Sequence, residues 1–229
     1  MDTSYHGRVR SEIREMLPPT ASRIVDVGCG SGATLAWLRT RYPAAHTIGL
    51  EGAADQRNAL SRNADEVHIL DLNGPLPDLG APDLMLFMDV LEHLVDPVGT
   101  LIRLTRGLAP NGVIIVSLPN VAHLSVSLPL LLRGRFAYED AGILDRTHLR
   151  FFVLETAVEL LNEAGFTVDD GLLGIDGSKH MLADKLTMGR LRTRLAKQFV
   201  LRGVRSEAGK QAAPVQWRLP SLAKADHSL

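Results

Sequence analysis

Four acidic residues recur at intervals that suit ligand chemistry: Asp26, Glu51, Asp71 and Asp89. Each falls at or near the end of a short apolar run, where a charge meant only for solubility has no reason to sit. Asp26 is followed by Gly28-Cys29-Gly30-Ser31-Gly32. Alternate glycines let a strand turn sharply into a helix and let a ligand lie against bare backbone. The helix start beyond them offers unpaired N–H groups to an anionic group. Two ligand readings compete. Gly28, Gly30 and Ala33 satisfy the dinucleotide pattern G-x-G-x-x-G/A, with Glu51 placed for a ribose. Gly28, Gly30 and Gly32, with Asp26 two positions earlier, instead read D-x-G-x-G-x-G. Electrostatics favours the second, because a row of acids repels a pyrophosphate and attracts a cation. In that reading Glu51 takes a ribose diol through paired hydrogen bonds, and Asp71 meets an adenine amino group with Leu72 against the ring.

Histidines supply a second constellation. His93, His123 and His148 each follow or interrupt the pattern at a candidate loop, with His6 a fourth. An imidazole titrates near neutrality, so it can remove a proton from an acceptor hydroxyl. If the chain ran from strand directly into helix after Asp89, then Asp89, Glu92 and His93 would share a face at i, i+3 and i+4. With His148 they would form an oxygen and nitrogen set suited to a divalent ion.

The elements that must position these groups alternate regularly. An amphipathic helix over residues 8–17 ends at Pro18-Pro19. Apolar strands are expected at Ile24-Val25, Thr47-Ile48-Gly49-Leu50-Glu51, residues 66–72, residues 83–89 and Val113-Ile114-Ile115-Val116-Ser117, with helices near 33–42, 53–63 and 97–108 between them. This alternation predicts a parallel, doubly wound α/β sheet, whose ligands bind at the carboxyl ends of the strands. Residues 119–150 break the rhythm and read as an insertion covering the acceptor. A helix near 153–164, a strand from Phe166, a basic helix over 181–194 and a final edge strand at Gln198 to Arg202 complete residues 1–205. Residues 206–229 read as a poorly ordered tail.

The acids, glycines and later motifs together resemble class I S-adenosylmethionine-dependent methyltransferases. The resemblance rests on residues 25–32, Gly49-Leu50-Glu51, Asp71-Leu72 and Asp89-Val90-Leu91-Glu92-His93-Leu94. Ser117-Leu118-Pro119-Asn120-Val121-Ala122-His123 and residues 144–152 narrow it to a bacterial subgroup of surface-polysaccharide and natural-product pathways. It implies a Rossmann-like, seven-stranded, mostly parallel sheet with an antiparallel last strand. It also implies S-adenosyl-L-methionine as cofactor, bound by Asp26, Gly28, Cys29, Gly30, Gly32, Glu51, Gly52, Asp71, Leu72 and Met88. His148 or His123 would be the base, with His93 and Asp89 orienting the acceptor. Asp89, Glu92, His93 and His148 resemble the metal site of some O-methyltransferases.

Bulk composition narrows the partners. Net charge is −1, which gives no whole-chain argument for nucleic acid. Residues 181–229 nevertheless hold 10 basic against 3 acidic side chains. They suit a phosphate-bearing acceptor or an anionic surface, or simply a solvated helix face. No apolar run reaches the ~20 residues of a membrane span, and no signal peptide is visible, so a cytoplasmic protein without stable membrane insertion is expected. One cysteine excludes an internal disulfide. The expectation is O-methylation of a small polar metabolite, a sugar or natural-product intermediate, by a possible homodimer. N-methylation, a non-catalytic donor-binding protein and an NAD-dependent oxidoreductase are the alternatives.

Overall fold

Runs of Val, Ile and Leu extend into strands that helices cover on both sides, as a sheet buried on two faces requires. The computed structural model describes residues 9–175, 178–206 and 215–219. Eight strands form one sheet: β1 (Arg23–Val27), β2 (His46–Glu51), β3 (Glu66–Ile69), β4 (Leu84–Met88), β5 (Val113–Pro119), β6 (Phe166–Gly174), β7 (Gln198–Arg205) and β8 (Gln216–Arg218). Their order is β3-β2-β1-β4-β5-β7-β6-β8. The first five run parallel, β7 is antiparallel to both β5 and β6, and β8 is parallel to β6. The order reverses between β1 and β4, the place where an open α/β sheet leaves a crevice for a ligand.

Side-chain alternation divides the core in two. Val25 and Val27 face one way, with Met85 and Phe87, against α3 (Pro97–Thr105) and α5 (Leu154–Glu163) through Leu101, Leu104, Leu160 and Leu161. Ile24, Leu84 and Leu86 face the other way, against α1 (Ala33–Arg41) and α2 (Arg57–Asn63) through Leu35, Leu38 and Leu60. The expected first helix is a 3-10 helix, Ser11–Met16, and its Ile13 and Met16 join this second face. The remaining helices are α4 (Leu124–Arg133), α6 (Ser178–Leu186) and α7 (Arg192–Leu195). Among the described residues no helix is long and apolar enough to cross a membrane.

The mostly parallel sheet with antiparallel C-terminal strands is as expected, with eight strands among the described residues, close to the seven expected. Three details are corrected. The segment Gln198–Arg205 is not an edge strand: β7 lies between β5 and β6, with Phe199, Val200 and Leu201 fully buried. Three apolar residues in succession already demand burial on both faces, which an edge position rarely supplies. Part of the segment read as tail is ordered into β8, whose Trp217 lies over Gly171, where a Cβ would come within 2.3 Å of the indole. Residues 207–214 and 220–229 of that segment lie outside the described residues, as does His6. The single basic helix also divides, because Met188 (φ 49°) and Gly189 (φ 78°) adopt left-handed backbone between α6 and α7.

An interior β7 makes Phe199 a core anchor. Phe199→Ala is expected to lower unfolding free energy by about 3–5 kcal/mol, as for other large-to-small changes at fully buried sites. Chemical denaturation measures this; a loss below about 1 kcal/mol would mean that the strand lies at an edge after all.

Candidate functional site

The loop after β1 is built as its glycines require. Gly28, Gly30 and Gly32 have φ of 68°, 54° and 78°, in the left-handed region that favours glycine. A Cβ at Gly28 would stand 2.4 Å from Val90 Cγ2, so the close approach of backbone there leaves room for nothing larger. The Gly28 and Cys29 N–H groups donate to Leu50 O at 2.8 and 3.2 Å, tying the loop to β2. Glu51, closing β2, accepts from Gly30 N–H at 2.7 Å and from Ala53 N–H at 2.8 Å. Its carboxylate therefore spans the mouth of the glycine loop, with Gly52 beside it. Cys29 turns its Sγ back toward Leu50 O, at 3.5 Å, and burial and the nearby acids push the thiol pKa up. It serves the loop through its backbone and is no nucleophile.

Beyond β3, Asp71 is exposed and accepts from Asn73 N–H at 2.9 Å and Asn73 Nδ2 at 2.8 Å, hydrogen bonds that lower its pKa. Leu72 is half-buried on the core beside it. The Arg103 guanidinium of α3 donates to Leu72 O at 2.5 Å and Gly74 O at 3.0 Å, clamping this turn. Met88, buried, closes β4.

Asp26 is the most constrained of the acids. It is 3% exposed, and burial raises its pKa to about 7; the charge of Arg10 opposes the rise and that of Glu51 adds to it. Arg10 is a residue that sequence reasoning missed. It is itself buried, and its Nη1 pairs with Asp89 Oδ2 at 2.5 Å. Its Nε pairs with Glu12 at 2.6 Å, and its Nη2 reaches Ser117 Oγ at 3.2 Å and Gln198 Oε1 at 3.3 Å. Burial works against the guanidinium charge, yet Asp89 and Glu12 hold its pKa above the ordinary value. The available signal was Ser117, a hydroxyl ending an otherwise apolar strand, which needs a buried polar partner.

Asp89 does not share a face with Glu92 and His93. Its backbone is left-handed (φ 59°), Val90 follows at φ −127°, and a 3-10 turn, Leu91–His93, comes next. The geometry that would align i, i+3 and i+4 never forms. Ser117 Oγ accepts from Asp89 N–H at 2.9 Å and donates to Asp89 Oδ1 at 2.7 Å, fixing the unusual backbone. Gln198 Nε2 also donates to Asp89 Oδ1. Asp89 thus belongs with Arg10, and the four-residue metal set contracts to three.

Those three come together. One ligand atom each from Glu92, His93 and His148 lies within 4.8 Å of the others. The two rings meet edge-on with centroids 4.8 Å apart, and His148 Nε2 is 4.0 Å from Glu92 Oε1. The Glu92 main chain holds the distant loop in place: its O accepts from Leu149 N–H at 2.8 Å and Arg150 N–H at 3.0 Å. His148 Nδ1 faces Ile143 O at 3.1 Å, and His93 Nδ1 faces Thr147 O at 3.2 Å. A ring nitrogen facing a carbonyl must carry the proton, so each Nε2 keeps its lone pair. Burial, then the charge of Asp89, pushes the Glu92 pKa well up, while burial and His148 lower that of His93.

His123 is placed differently. It caps α4, its Nδ1 accepting from Ser125 N–H at 3.1 Å, and its ring lies 5.7 Å from that of His180. With Nδ1 committed as an acceptor, the proton sits on Nε2 and no lone pair remains for a base in this tautomer.

A family model described as a methyltransferase domain matches residues 1–170. The chain belongs to this family. Among curated proteins, the domain is 36% identical over 157 residues to a trans-aconitate 2-methyltransferase of Methylobacterium nodulans, covering 65% of this chain and 58% of that protein. It is 31% identical over 161 residues to the enzyme of the same name from Deinococcus radiodurans, covering 68% and 59%. The chain therefore spans under two thirds of the length of these relatives. A crystal structure of an S-adenosylmethionine-dependent methyltransferase from Mesorhizobium loti shares the fold at a TM-score of 0.60 and 18% identity, over 84% of this chain and 95% of that one. This is a methyltransferase domain of the S-adenosylmethionine-dependent class, whose donor carries a positive charge that suits Asp26, where the charge of Arg10 offsets burial only in part.

Donor binding should then depend on pH. Asp26 has a folded pKa raised from 3.8 to about 7, so the folded state holds its proton more tightly than the unfolded state. Its contribution to stability is fully present below the unfolded value and is lost as pH rises through the folded one. Cation binding runs the opposite way, because it needs the carboxylate. Calorimetric affinity for S-adenosylmethionine is expected to rise about tenfold per pH unit below neutrality and level off above it. Asp26→Asn should weaken binding and flatten that profile; an unaltered profile would remove Asp26 from the donor site.

Proposed function

We propose that this methyltransferase domain moves the methyl group of S-adenosylmethionine to a hydroxyl oxygen of a small polar metabolite, a sugar or natural-product intermediate, with His148 as base. When bound, the donor supplies an electrophilic methyl on a sulfonium. The chain's own residues do the rest. Asp26, beside the Gly28, Gly30 and Gly32 backbone, faces the charged methionine portion, and Arg10 supports it. Glu51 holds the ribose diol, and the Asp71-Leu72 turn receives the adenine. His148 Nε2 takes the acceptor proton while the acceptor oxygen attacks in line, and its Nδ1–H stays on Ile143 O throughout. Residues 119–150 cover the reaction and exclude water, which favours displacement over hydrolysis.

The observation that carries this reading is the contact of His148 Nδ1 with Ile143 O at 3.1 Å. Its Nδ1 is held by a main-chain carbonyl and its Nε2 turns toward Glu92 in a buried setting, the arrangement a general base needs. His148→Ala is expected to lower kcat by about 10²–10⁴-fold, the usual worth of a positioned base, with donor affinity unchanged. A second reading rests on the trans-aconitate relatives, whose name points to a carboxylate acceptor. A carboxylate has no proton to remove, so His148→Ala would then alter KM and leave kcat nearly intact. Steady-state kinetics on hydroxylated and carboxylated acceptor panels separates the two.

The same three side chains fit a divalent cation. Glu92 Oε2 is buried without a hydrogen-bond partner among the described residues, an orphan that a cation would satisfy. Each histidine donates its other ring nitrogen to a main-chain carbonyl, the outer support common to metal-bound imidazoles. A cation held by Glu92, His93 and His148 would occupy the His148 Nε2 lone pair and so replace His148 as base, polarising the acceptor oxygen and making it more acidic. On this proposal chelation lowers both activity and melting temperature, added Mg²⁺ or Zn²⁺ restores them, and Glu92→Gln abolishes the melting response. A protein indifferent to chelation in both measurements has no such site.

A further inference from the structure

We propose that α4 and the turn after it dock the domain on an anionic membrane surface. The second half of α4 places Leu130, Leu131 and Leu132 in solvent, with Leu131 81% and Leu132 69% exposed. Phe136 and Tyr138 stand exposed just beyond Gly134, which ends the helix in left-handed backbone (φ 60°). Val126 is buried and Leu124 packs on the core, so the first half of α4 is seated on the fold while its second half stands in solvent. An apolar patch of this kind is rare on a surface that meets only water, and it marks a contact site.

Charge decides what the contact is. From residue 124 to residue 138 the only charged side chains are Arg133 and Arg135, both exposed. The neighbouring α6–α7 region repeats the composition: Leu186 and Met188 are exposed, and so are Lys185, Arg190 and Arg194. Its acid, Asp184, is already paired with Arg192 at 3.0 Å. The α6–α7 region meets the head of α4, where Asn120 Nδ2 donates to Thr193 O and Ala196 O at 2.7 Å and the His123 ring faces that of His180. Leucine and aromatic side chains set among arginines are the composition of helices that lie in the lipid interface. A second copy of this chain on the same face would set arginine against arginine, which opposes association. Anionic headgroups complement the arginines while acyl chains receive the leucines. The docking face belongs to the stretch, residues 119–150, that carries His123 and His148, so lipid contact and acceptor access share one segment of chain.

The test uses the full chain and vesicles and needs neither methyl donor nor acceptor. Co-sedimentation with vesicles of phosphatidylglycerol and phosphatidylcholine is expected to show binding that falls at least tenfold on phosphatidylcholine alone and weakens with salt. Leu131→Glu and Arg133→Glu should each reduce it about tenfold. Both positions are exposed, so the melting temperature and S-adenosylmethionine affinity should match wild type and exclude misfolding. Absence of binding to the anionic vesicles overturns the proposal, and so does binding that both variants leave intact. A dimer in sedimentation velocity that Leu131→Glu dissociates would assign the face to a second copy and overturn it equally.

Discussion

A carboxylate buried at the end of an apolar strand must find a positive partner or give up its charge, and Asp26 organises the molecule around that constraint. Its environment contains one stabilising cation, Arg10, and one opposing anion, Glu51. Arg10 comes from the N-terminal segment, whose Ile13 and Met16 are buried against the sheet. Packing of apolar residues thus delivers a guanidinium to the carboxyl ends of β1, β4 and β5. Burial keeps the Asp26 pKa near 7 despite Arg10. Removing charges from water is costly, and Arg10 and Glu51 offset the cost through their own hydrogen bonds.

The second constraint is the left-handed backbone at Asp89. A non-glycine residue there is strained, and the strain is held by Ser117 on one side and by Arg10 and Gln198 on the other. Such strain persists only where the surroundings over-determine it. Its effect is to divide the acids. Asp89 turns toward the donor-side cation, whereas Glu92 turns under His93 and His148. One loop of six residues therefore faces two environments of different chemistry, a charged one at Asp89 and a buried one where Glu92 and His93 meet His148.

Much of the fold could be read from periodicity. The first five strands and their helices follow from apolar runs and intervening amphipathic stretches, and the glycine loop follows from three glycines whose φ values are all positive. Errors came where neighbours in space outweighed neighbours in sequence. The interior position of β7 depends on pairing with β5 and β6 together, which no local pattern records. The ordering of Gln216–Arg218 depends on Gly171, an absent side chain 46 positions earlier, and on Asp170, which pairs with Arg218 at 2.7 Å.

By itself the sequence determined the doubly wound sheet, the glycine loop after its first strand and the acids near it, because strand period, glycine and terminal carboxylate are local properties of the chain. Tertiary structure alone decided which polar group each histidine meets. His123 and His148 look alike in sequence, but one spends Nδ1 on capping α4 and the other has its proton held by Ile143 O. Tertiary structure also brought Arg10 to Asp89 across 79 positions. Tautomer and charge pairing are set by what lies within about 3 Å, and that distance is fixed only when the chain has folded.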